Sequence, residues 1–195
     1  MSELTPLAVA ALGLLEERPM HPYEMYQVLM QRSEDRLVKV RPGSLYHAVD
    51  RLALHGHVRA TGTEREGNRP ERTTYEITDA GSAALERRLT GMLGEFVNEY
   101  PVFALAISES HNLRPDAVAT LLEARLAGLR NELADYNVGR QQVTAKNLPE
   151  AYWLDIDYKI TLLQCEIAWH ETTIARLQSG ELTWDPEHTK ESNRP

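Results

Sequence analysis

Three groups of polar side chains stand where hydrogen bonding and positive charge would act together. The first is Ser44, Tyr46, His47 and Arg51, inside the stretch Pro42-Gly43-Ser44-Leu45-Tyr46-His47-Ala48-Val49-Asp50-Arg51-Leu52-Ala53-Leu54-His55-Gly56. An arginine fork matches the two acceptors on a guanine edge, whereas serine and tyrosine hydroxyls more often bond phosphate oxygens. The second is Lys39 and Arg41, just ahead of that stretch. If the stretch is helical, its opening N–H groups and dipole already favour a phosphate there. The third is Arg65, Asn68, Arg69 and Arg72, in the breaker-rich run 62–72. Such a loop fits a minor groove or the sugar–phosphate backbone. Plainer alternatives are a Tyr46 packed in a core, an Arg51 paired with Asp50 or Glu64, and loop arginines matched by Glu64, Glu66 and Glu71.

Placing these groups requires particular elements. Pro42 suits a first helical turn, Leu45, Val49 and Leu52 recur on one face, and Gly56 is a stop signal, so a slender helix with a polar outer side is expected. Before it, Thr5-Pro6 starts a helix that is apolar all round from Leu7 to Leu15, and so central to a core. His21-Pro22 starts a second, with Tyr23, Tyr26 and Leu29/Met30 at helical spacing and Glu24 in its first turn. Two helices joined by the connector 33–40 read as a helix-turn-helix. After Gly56 the period becomes two: residues 57–61 and 73–78 alternate like strands, with Tyr75 and Ile77 on one face. Thr78-Asp79 then caps a fourth helix carrying Leu85, Leu89, Met92 and Phe96.

The net charge of −8 argues at first against an anionic partner. Its distribution reverses the argument. Residues 32–72 hold nine basic and six acidic residues, bracketing the proposed reading helix, while the acidity lies in the C-terminal half. Local charge is what meets phosphates. The single cysteine, Cys165, excludes an internal disulfide framework and fits a cytoplasmic protein. On its helix it reads as a small buried hydrophobe. The run 7–15 is too short to span a bilayer. No nucleophile elbow, phosphate-binding glycine loop or zinc spacing occurs, so neither an enzyme, a metal nor a cofactor is expected.

His21-Pro22-Tyr23-Glu24-Met25, then Pro42-Gly43-Ser44-Leu45-Tyr46, then Arg69-Pro70-Glu71-Arg72 with Tyr75-Glu76-Ile77-Thr78-Asp79-Ala80-Gly81, resemble the PadR family of bacterial transcriptional regulators over roughly residues 4–95. The resemblance implies a winged helix-turn-helix, DNA contacts from the reading-helix tyrosine and its neighbours, and a phenolic or drug-like effector. The remaining chain is similar in pattern to the long helical C-terminal domain of one branch of that family.

That half is readable by periodicity. Pro115-Asp116 opens a long helix with Val118, Leu122, Leu126, Leu129, Leu133 and Tyr136 in line. The last helix carries Trp153, Ile156, Ile160, Leu163, Ile167, His170, Ile174 and Leu177 in a 3-4 alternation, a coiled-coil seam. The two helices either close on each other or meet a second copy, and both together are expected. Ile156, Ile160, Leu163, Ile167 and Ile174 are then the dimer-interface residues. Trp153 and Trp169 are the candidates for an aromatic effector, against plain core packing.

The expected fold is therefore mainly α: an N-terminal winged helix-turn-helix with a two-stranded β wing (1–95), a C-terminal helical dimerisation and effector domain (96–180) and a disordered polar tail (181–195). The expected function is sequence-specific repression by a homodimer on a pseudo-palindrome in double-stranded DNA, relieved by a small aromatic ligand, with no membrane role. The rival is a winged-helix protein–protein interaction module that binds no DNA.

Overall fold

A computed structural model describes residues 3–64 and 72–184. The chain divides into two compact units, Met1–Val97 and Asn98–Pro195. The first contains α1 (Pro6–Glu17), α2 (Pro22–Gln31), α3 (Pro42–Leu54), β1 (Val58–Glu64), β2 (Arg72–Ile77) and α4 (Asp79–Gly94). The second contains α5 (Val102–Ser108), α6 (Pro115–Ala145) and α7 (Leu154–Ser179). Short 3-10 turns at Glu34–Arg36, Ser110–Asn112 and Glu150–Tyr152 complete the connections.

Local chemistry sets the helix starts. Thr5 caps α1 by accepting the Ala8 N–H, His21 Nδ1 accepts the Tyr23 N–H, and Thr78 Oγ1 accepts the Gly81 N–H. Proline opens α1, α2 and α3, where its missing N–H costs nothing. The core gathers Leu12 and Leu15 of α1, Met25 and Leu29 of α2, Leu45, Val49 and Leu52 of α3, and Val58 of β1. The α1–α2 link joins the sheet: Met20 exchanges both backbone hydrogen bonds with Tyr75, each at 3.0 Å.

Several faces differ from the periodicity reading. The inward side of α2 is Pro22, Met25 and Leu29, while Tyr23 and Met30 are exposed. On α4 only Gly81, Ala84 and Leu85 are buried. Leu89 and Met92 are exposed, and Phe96 lies beyond the helix end, because only the first two turns of α4 lie against the core. The strands run further into the wing than the alternation suggests, to Glu64 and from Arg72, with an irregular register between Ala60 and Gly62.

One corner ties these elements together. Gly56 takes φ +73°, ending α3 and turning the chain into β1. His57 N–H bonds Leu52 O at 2.9 Å, and His57 O accepts Thr78 N–H at 3.0 Å. The Thr78 hydroxyl donates to Gly56 O at 2.7 Å. Gly81 packs directly on this turn: a Cβ there would lie 2.1 Å from His57 O.

In the second unit, α6 and α7 form an antiparallel hairpin. Leu129, Tyr136, Ile160 and Leu163 make one buried cluster, with Leu133, Ile156 and Ile167 packed against it. Val118, Leu122, Leu126 and Ile174 make another, with Phe103 and Trp184 against it. Arg125–Glu166 (2.8 Å), Arg130–Glu171 (2.7 Å) and Lys159–Glu132 (3.4 Å) flank the seam. Exposed pairs of this kind contribute ~0–1 kcal/mol each, so they help fix register while the apolar seam stabilises the hairpin. The beginning of the expected disordered tail is structured instead. Trp184 packs on the α6–α7 cluster and donates its indole N–H to Leu113 O at 2.9 Å. Residues 185–195 lie outside the described residues.

Two glycines of α4 should respond oppositely to alanine. Gly81→Ala forces the new methyl against a backbone carbonyl and should cost about 1–3 kcal/mol, outweighing the gain in helix propensity. Gly91, whose nearest such contact is the Glu95 side chain at 3.7 Å, should gain up to ~1 kcal/mol on the same change. Urea unfolding of the two variants reads the difference in sign.

Candidate nucleic-acid interface

α3 is fastened by Leu45, Ala48, Val49 and Leu52, all buried. Everything else from Arg41 to His55 except the half-buried Ala53 is exposed. At about 100° per residue, the centre of the outer face falls on Gly43, His47, Asp50 and Leu54. Leu54 is 82% exposed. Ser44 and Arg51 stand on one edge of that face and Tyr46 on the other. Sequence reasoning brings Ser44, His47, Asp50 and Arg51 to the outer side and adds Tyr46, but gives Asp50 no role there and passes over Leu54. Counting turns outward from Leu45 and Val49 would have found Leu54.

Tyr46 is not packed in the core, and Arg51 is not paired with Asp50; the side chain of Glu64 lies outside the described set. Tyr46 is 40% exposed, with its ring edge-on to His21 at 5.8 Å. Among the described residues no ion pair joins Arg51 to Asp50. Arg51 instead borders a cavity with Leu4, His55 and His57.

The start of α3 also differs from the other helices of its unit. Its N-cap residue, Arg41, makes no side-chain cap, whereas α1, α2 and α4 are each capped by a side chain. The opening N–H groups of α3 therefore stay available to an anion, with Lys39 and Arg41 exposed beside them.

In the wing, Arg59 and Glu76 face each other across the strands and form an ion pair. Arg65, Asn68 and Arg69 lie outside the described residues. Arg72 begins β2, opposite Glu64, with its side chain outside the described set. In the second unit Trp153 precedes α7 and donates its indole N–H to Leu148 O at 3.2 Å. Trp169 stands edge-on to Phe103 at 6.0 Å. Sixteen residues separate the two tryptophans, roughly 24 Å of helix, so one small aromatic molecule cannot touch both within a chain. Cys165 is exposed, contrary to the expectation of a buried hydrophobe: it lies off the α6-facing seam.

His57 lies in the turn between α3 and β1. Burial pushes its imidazole below its ordinary value, and His55 and Arg87 push it the same way. Its Nδ1 is shielded from water and has no partner among the described residues.

An uncapped helix held over a small core, with a β hairpin following it, defines a winged helix-turn-helix. Residues 11–87 match the model described as the Transcriptional regulator PadR-like family. Solved structures share the fold over most of the chain. Bacillus subtilis PadR in complex with operator DNA superposes with a TM-score of 0.76 at 18% identity, covering 89% of this chain and 99% of that one. The same protein in complex with p-coumaric acid gives 0.71 at 17%, covering 88% and 98%. The PadR-like regulator BC1756 from Bacillus cereus gives 0.66 at 12%, covering 89% and 99%. Comparison with curated proteins found no match. Among the described residues, no helix is long and apolar enough to cross a membrane.

The depressed His57 pKa has a signed consequence. A folded state that resists protonation is most stable above the unfolded value of 6.5 and loses that contribution as pH falls through 6.5 toward the folded pKa. Between pH 7.5 and 5.5 the melting temperature of the wild type should fall further than that of His57→Gln.

Proposed function

We propose that the chain is a sequence-specific repressor acting as a homodimer on a pseudo-palindromic operator. The observation that carries this reading is the solvent face of α3, with its uncapped N-terminus and flanking Lys39 and Arg41. His47 and Asp50, central on that face, are assigned to base edges, since a carboxylate can accept from cytosine N4. Lys39, Arg41, Ser44, Tyr46 and Arg51, nearer its start or edges, are assigned to phosphates. Arg65, Asn68, Arg69 and Arg72 are assigned to the wing's contact with the adjacent minor groove. Two protomers would set their α3 helices about 34–36 Å apart, one turn of DNA. That Bacillus subtilis PadR has been solved with operator DNA supports the partner.

The dimer needs a surface other than the seam already closed on α6. Ile160, Leu163 and Ile174 are buried against their own chain, with Ile156 and Ile167 packed beside them. A second line runs along α7: Leu154, Tyr158, Leu162, Cys165 and Trp169, at steps of 4, 4, 3 and 4. All are exposed, Tyr158 to 66% and Leu162 to 45%. We assign this line to the second copy. A small aromatic effector is assigned to the neighbourhood of Trp169 and Phe103 rather than to Trp153, and the p-coumaric acid complex of Bacillus subtilis PadR supports the ligand class.

Fluorescence anisotropy with duplexes selected from a random pool tests the DNA reading. Affinity should fall steeply with salt, as counterions are released. Lys39→Ala should weaken every duplex alike and lower the salt slope by about one, whereas His47→Ala should cost about 1–3 kcal/mol at one base pair. Binding indifferent to salt and to both changes would favour the interaction-module reading. Separately, Leu162→Asp should convert dimer to monomer in sedimentation experiments at unchanged helix content; a persistent dimer would remove the α7 assignment.

A further inference from the structure

Two cavities in the winged helix meet at Glu3, Leu4 and His57. The smaller, about 130 Å³, has an apolar floor of Leu4, Ala8, Ala48 and Leu52, with Arg51, His55 and His57 at its polar side. The larger, about 290 Å³, adds Arg87 and Arg88. Three arginines thus face Glu3 and Glu95, a positive balance in a protein whose total charge is −8.

The polar atoms of this place are incompletely used. His57 Nδ1 and Arg88 Nε are both buried from water and lack a partner among the described residues. Buried donors in that state are costly and call for an acceptor. Among the described residues Arg88 forms an ion pair with Glu3. The Glu3 side chain is 71% exposed while that of Arg88 is 24% exposed, so the acid is the loosely held member. Its carboxylate occupies the position an external anion would take.

We propose that this double cavity binds a short-chain aliphatic carboxylate. Its carboxylate displaces Glu3 and accepts hydrogen bonds from the Arg88 guanidinium and from His57 in its Nδ1–H tautomer. A planar guanidinium suits a carboxylate through two parallel bonds. The aliphatic body lies on Leu4, Ala8, Ala48 and Leu52; that floor holds no aromatic side chain to stack on a flat ring. Ala48 and Leu52 belong to α3, so the ligand touches the reading helix from behind.

Isothermal titration of the full chain with sodium isovalerate tests this, with 3-methyl-1-butanol as the uncharged isostere and inorganic phosphate as the anion without an apolar body. No DNA is needed, so failure here leaves the operator reading standing. Isovalerate should bind saturably and both controls should not. Arg88→Gln should weaken binding about tenfold, the loss expected for a charge-assisted pair. Glu3→Gln should tighten it, because it removes the internal competitor, an effect that damage to the fold would not produce. Absence of saturable isovalerate binding, equal binding of the alcohol or of phosphate, or a Glu3→Gln variant that binds no more tightly would overturn the proposal.

Discussion

The structure of the first unit depends on the corner where Gly56, His57, Thr78 and Gly81 meet. Four elements end or begin there: α3 and β2 end, β1 and α4 begin. The carbonyls of Gly56 and His57 both bond Thr78, and Gly81 admits the start of α4 to the same spot. Glycine is needed twice for different reasons: Gly56 for its positive φ and Gly81 for close approach. Without this knot the outer face of α3 would have no fixed relation to the wing. A groove-reading helix is useful only if the contacts beside it are held at a set distance.

A second constraint governs the C-terminal unit. α7 carries two apolar lines, and the hairpin with α6 can cover only one of them. Covering Ile160, Leu163 and Ile174 leaves Leu154, Tyr158, Leu162, Cys165 and Trp169 in solvent. His170 shows how completely the inner line is closed. It is fully buried, its Nδ1–H donates to Glu166 O at 2.8 Å, and its ring stacks on Phe103 at 5.2 Å. Arg125 covers the same phenyl ring at 3.9 Å, so a cation and an imidazole share one aromatic platform.

Much of this was legible in the residues. Thr5, Pro6, His21, Pro22, Pro42, Gly56 and Thr78 mark helix ends because capping and fixed φ are local effects. Leu45, Val49 and Leu52 mark the anchored side of α3 because a buried face imposes its period on a single element. What escaped depended on neighbours. Tyr23 and Met30 share helical spacing with the core residues of α2, but the position of α1 and α3 decides which stripe is buried. Leu89 and Met92 continue the stripe of α4 past the point where there is a core to meet. Trp153 and Trp169 both belong to the last segment in sequence, yet a helix rises about 1.5 Å per residue and carries them apart. The outer line of α7 had a readable spacing of its own; the inner seam simply has the stronger pattern. His57 and Arg88 gave no signal in sequence, since their meaning lies in a cavity built from three separated segments.

The central claim is that the outer face of α3 meets the bases of a duplex. A photo-crosslinking amino acid placed at position 47 of the full chain, irradiated with a selected duplex, addresses it directly. The account predicts adducts at one base position in each half-site, with none when the same group replaces Thr161 on α7. Adducts scattered without preference, or formed as readily from α7 as from α3, would contradict it.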